Sequence, residues 1–84
     1  REQMSIQIIS QETDGTRTYF KVQGKRNVIN ITVNPKVGYV NVLNETAAHR
    51  AYRGMGKTFD NFAQALNAYK STEMKAVLQY VAEL

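Results

Sequence analysis

Seven side chains carry most of the chemistry this sequence offers, and they fall into two groups. In the first, Arg17, Tyr19 and Lys21 alternate along one run, and Tyr39 stands on another. Cations neutralise phosphates and exposed tyrosine rings give bases a surface to stack on, so a sheet face of this composition suits single-stranded nucleic acid. The same residues are also ordinary occupants of the wet side of any one-layer sheet. Ile9, Val28 and Leu43 fall on that side too, and an apolar patch on so small a domain suggests a third use, packing against another subunit.

The second group is His49-Arg50-Ala51-Tyr52-Arg53-Gly54-Met55-Gly56-Lys57, in which Arg50, Arg53 and Lys57 precede an expected helix start. Glycine N–H groups turned inward at the positive end of a helix hold anions. Gly56-Lys57-Thr58 resembles the end of a Walker A loop, but that pattern requires a glycine where Ala51 stands, and no parallel βαβ unit surrounds it. Nucleotide hydrolysis is therefore not expected. Asp60 follows closely and repels anions. The plainer reading is a glycine-hinged connection with solvated cations.

Reaction chemistry has few candidates. His49 is the only histidine and has no identifiable nucleophile or orienting partner. The absence of cysteine excludes disulfides, thiolate metal sites and a cysteine nucleophile, and no calcium-loop spacing occurs. No catalytic residue, cofactor or metal is expected. The sequons at Asn30 and Asn44 are short enough to be chance, and Asn30 lies within an expected strand.

The chain has 84 residues, a formal charge of +4 and 43% hydrophobic residues. At this length a fold buries about 60% of its unfolded surface, enough for one modest core, so residues 1–84 read as one small domain. Apolar stretches are too short for a membrane span or a signal-peptide core. Residues 1–3, ahead of Met4, read as an expression remnant or the end of a longer segment, and the cytoplasm is the expected compartment. Charge is uneven: residues 16–59 carry a net +7, with Glu45 their only acid, while the two flanks are slightly acidic.

That basic middle is also where residue types alternate with period two. Met4, Ile6 and Ile8 share one face of a first strand. Asp14-Gly15 marks a tight hairpin. Thr18, Phe20 and Val22 then oppose Arg17, Tyr19, Lys21 and Gln23 on a second strand. Gly24 to Asn27 turns the chain, Ile29, Ile31 and Val33 share a face of a third strand, and Asn34-Pro35 stops it. Val40 and Val42 oppose Tyr39, Asn41 and Leu43 on a fourth.

From Asn44 to Arg53 the pattern fits a short helix or an irregular extended crossing. Beyond Gly54-Met55-Gly56, Thr58 or Asp60 is an expected N-cap. Phe59, Phe62, Leu66, Tyr69, Met74, Val77, Leu78 and Val81 form one helical stripe, either continuous or interrupted and recapped at Ser71-Thr72. The expected fold is therefore α+β: a four-stranded antiparallel meander sheet with one or two C-terminal helices packed on one face.

This layout is similar in outline to the small single-stranded-DNA binders of the transcriptional-coactivator and Whirly type, although no motif of theirs is matched residue by residue. The leading expectation is a non-enzymatic nucleic-acid-binding module, for single-stranded or duplex nucleic acid, acting through Arg17, Tyr19, Lys21, Tyr39, Arg50, Arg53 and Lys57. The alternative is a protein-interaction or homo-oligomeric module that docks through its outer sheet face or an edge strand.

Overall fold

The computed structural model describes residues 6–36, 38–46 and 56–84. Four strands run in meander order, β1 (Gln7–Asp14), β2 (Arg17–Gln23), β3 (Val28–Asn34) and β4 (Tyr39–Asn44), each antiparallel to the one before. Local chemistry explains their limits. Gly15 takes a φ of 65° in the β1–β2 hairpin, a conformation other residues resist, and β3 ends at Asn34 because Pro35 has no N–H for a ladder.

The sheet has one strand more than the sequence pattern suggested. Lys57–Phe59 form β5, antiparallel to β4, with Phe59 opposite Val40 and Thr58 opposite Asn41. Phe59 sits at helical spacing from Phe62, which disguises the strand, but its ring packs against the core from a sheet position. Gly56 makes this approach feasible. A Cβ there would lie 2.5 Å from the Val42 carbonyl oxygen and 2.7 Å from Asn41 Oδ1. Gly56→Ala is expected to destabilise the domain by about 1–3 kcal/mol, because the obstruction is largely backbone that cannot swing aside. Chemical denaturation of the variant checks this.

Two helices follow. Neither Thr58 nor Asp60 is the cap of the first: Thr58 lies in β5, and Asn61 Oδ1 accepts from Gln64 N–H at 2.8 Å to start α1 (Phe62–Ala68). Gln64 in turn accepts from Asp60 N–H at 3.1 Å, an arrangement like a capping box. The stripe is interrupted at Ser71, whose hydroxyl accepts from Met74 N–H to start α2 (Thr72–Ala82). Met74, Val77, Leu78 and Val81 of α2 are buried in one core with Phe20, Val22, Ile29, Ile31, Val40 and Val42 of the sheet. Ala65 of α1 joins them. The layers are thus helices on one sheet face, and among the described residues no element covers the other, here termed the open face. No helix among the described residues is long and apolar enough to cross a membrane.

Candidate functional site

Strand alternation places Arg17, Tyr19 and Lys21 on the open face of β2 and Tyr39 on the same face of β4. Four of the seven expected residues therefore share one surface. Arg17 lies close to both tyrosines. A side-chain hydrogen bond to Tyr19, the nearby Tyr39 phenol and Asp14 together push its guanidinium above its ordinary value.

The other three residues do not join them. Arg50 and Arg53 lie outside the described residues. Lys57 stands opposite Val42 and so points to the helix side of β5, where its Nζ lies 5.9 Å from the centre of the Tyr69 ring. Burial raises the Tyr69 phenol above its usual range, and the ring also meets Phe59 edge-on at 5.8 Å. Lys57 therefore cannot serve the surface that carries Arg17. Of the other loop cations, Lys25 and Arg26 occupy the turn before β3 and Lys36 the turn after it, at opposite ends of that strand.

Carboxylates occupy the open face as well, and alternation alone misplaces two of them. Ile8 pairs with Val22 on the core side, yet Ser10 pairs with Lys21, because a bulge at Ile9 inserts one residue into β1. Every later side chain of the strand is thereby reversed. Glu12 comes to lie opposite Tyr19 and Asp14 opposite Arg17. Ile9 itself is left 51% exposed. Counting outward from the Asp14-Gly15 turn and counting inward from Ile8 opposite Val22 disagree by one residue, a mismatch visible only once the sheet supplies that second pairing.

The third carboxylate arrives from after β4. Glu45 Oε1 lies 3.5 Å from Lys21 Nζ and accepts from Asn30 Nδ2 at 3.0 Å. A half-exposed pair of this kind adds under about 1 kcal/mol to stability, but it balances the charge of Lys21 at the surface. Ser10, Glu12, Tyr19, Lys21, Asn30, Thr32 and Glu45 surround a concavity of about 340 Å³. Among the described residues, Arg17 on this face stands opposite Asp14 and Lys21 pairs with Glu45, while Glu12 lies opposite Tyr19.

Beside this surface runs an open edge. Among the described residues β1 pairs only with β2; it is eight residues long and exposed along nearly its whole length. Every second residue of such a strand turns its N–H and C=O away from the sheet. The opposite edge, β5, has three residues.

No family model matches this chain, and neither a curated protein nor a solved structure matches it.

Proposed function

We propose that this domain is a protein-interaction module that takes an extended segment of a partner onto the free edge of β1, with the adjoining open face as a secondary contact. The observation that supports this reading most directly is the length of that unpaired edge. Natural edge strands are blunted by lysine and other charges, proline, brevity or a bulge, and of these β1 carries the bulge at Ile9 and the carboxylates Glu12 and Asp14, beyond which residues 10–14 still run in regular register with β2. The sequence Gln7-Ile8-Ile9-Ser10-Gln11-Glu12-Thr13-Asp14 has neither lysine nor proline and is not short. Its bulge leaves Ile9 half exposed as an apolar contact. Strand addition draws affinity from main-chain hydrogen bonds and selectivity from alternate side chains, and both are available here.

The nucleic-acid reading rests on one observation, the Arg17 guanidinium beside Tyr19 and Tyr39. Against it, phosphate binding scales with uncompensated cations, and Asp14 stands opposite Arg17 while Glu45 pairs with Lys21.

Panning a random octapeptide library against the protein and against Ile9→Lys tests the edge reading. Lysine at an edge is a natural deterrent to pairing, and at an exposed position it changes stability by only about 0.5 kcal/mol. The wild type is expected to enrich peptides of alternating pattern that Ile9→Lys releases, with unchanged thermal unfolding. Enrichment that survives Ile9→Lys overturns the assignment. Salt-sensitive binding of oligothymidylate that is lost in Arg17→Ala, with no peptide enriched, replaces it by the nucleic-acid reading.

A further inference from the structure

The edge reading leaves open what kind of segment fits, and the bulge supplies the answer. By reversing the second half of β1, it sets Ser10, Glu12 and Asp14 in a row on the open face, next to where an added strand would lie. Glu12 and Asp14 are the only charges of β1, and both are exposed. Directly opposed side chains in antiparallel strands sit close enough for opposite charges to attract and like charges to repel.

From this placement, and resting on the edge reading above, we infer that the partner segment is an extended basic strand, with Lys or Arg at alternate positions opposite Glu12 and Asp14. Two competing occupants fit less well on the same grounds. A second copy pairing antiparallel through β1 would bring another Glu12 and Asp14 onto the same short edge, so four carboxylates would share it. A phosphate backbone would meet the two carboxylates directly. A basic segment instead gains two cross-strand charge pairs, and Ile9 offers an apolar contact at the bulge.

Arg17 and Lys21 on β2 stand opposite Asp14 and Ser10, and Glu45 already balances Lys21. Glu12, opposite the neutral Tyr19, is the carboxylate most available to a newcomer. The concavity it lines with Tyr19, Asn30 and Thr32 has room for the end of a long side chain reaching across from the edge.

The test is titration of the isotopically labelled protein with two synthetic octapeptides, one alternating lysine with valine and the other alternating glutamate with valine, followed by amide shifts. The basic peptide is expected to shift β1 amides, and to bind about tenfold more weakly to the Glu12→Lys/Asp14→Lys double variant, from the loss and reversal of two cross-strand pairs. The acidic peptide is expected to show the opposite preference. Glu12→Gln/Asp14→Asn, which keeps the shape of both side chains, should be intermediate and guards against a folding defect in the charge reversal. If both peptides shift β1 amides equally, the charge preference is wrong while the edge reading stands. If neither shifts them, both are wrong. Shifts confined to any other surface overturn the inference.

Discussion

Replacing Glu73 with alanine is expected to cost the domain about 2–4 kcal/mol, because one carboxylate joins the helical layer to the β2–β3 turn. Glu73 lies in the first turn of α2, where the helix dipole favours an acid. Its Oε2 accepts from the N–H groups of Arg26 at 2.6 Å and Asn27 at 2.9 Å, and Oε1 accepts from Asn27 Nδ2 at 2.6 Å. Gly24 leaves the necessary room, since a Cβ there would stand 2.6 Å from Glu73 Oε2. Removal of the carboxylate leaves two backbone donors and an amide to be satisfied by water alone. For a domain this size the loss corresponds to a fall in Tm of about 10–20 °C, which a thermal scan reads directly.

The same carboxylate makes stability depend on acid in a definite direction. Burial pushes the Glu73 carboxyl upward, but hydrogen bonds from Arg26, Asn27 and Lys25 outweigh it and hold the group below its ordinary 4.5. A group held low in the folded state contributes stability above its unfolded value, and that contribution disappears as the pH falls through the folded value. Glu73→Gln is therefore expected to be less stable than the wild type at neutral pH and to converge towards it in acid. A pH series of denaturation midpoints running parallel for the two proteins would show that Glu73 is not the group responsible.

Leu78→Ala is expected to cost about 2–5 kcal/mol, enough to threaten folding outright in a domain with one small core. Leu78 is fully buried between α2 and the sheet. Besides this core packing and the Glu73 carboxylate, Lys75 Nζ donates to the Leu66 carbonyl at 2.7 Å, tying α2 to the end of α1. Loss of far-ultraviolet helical signal ahead of strand signal would indicate that the helical layer detaches first. A variant as stable as wild type would mean that the apolar stripe of α2 does not pack on the sheet.

Much of this architecture was legible in the residues themselves. Alternation assigned Phe20, Val22, Ile29, Ile31, Val40 and Val42 to the buried face and Arg17, Tyr19, Lys21 and Tyr39 to the other, because the strand repeat is a property of the backbone. The Asp14-Gly15 turn, the stop at Pro35 and the recapping at Ser71 depend on residues within a few positions, and each appears where local chemistry puts it. The charge imbalance of residues 16–59 was equally plain, but a sum along the chain does not say which charges meet in space.

What tertiary structure decided was the character of the surface. A residue inserted at Ile9 has little local signature, yet it turns Glu12 and Asp14 onto the open face. Glu45 reaches Lys21 across twenty-odd positions of sequence, and Lys57 is carried to the far side by pairing with β4. A three-residue strand such as β5 exists only through its ladder to a neighbour, so no window of sequence contains the reason for it. The sequence by itself determined the first four strands, the turns between them and the core face they share, since these follow from repeats and dihedral preferences short enough to be written in adjacent residues. Which charges face one another depends on register between distant strands, and only the assembled sheet fixes that.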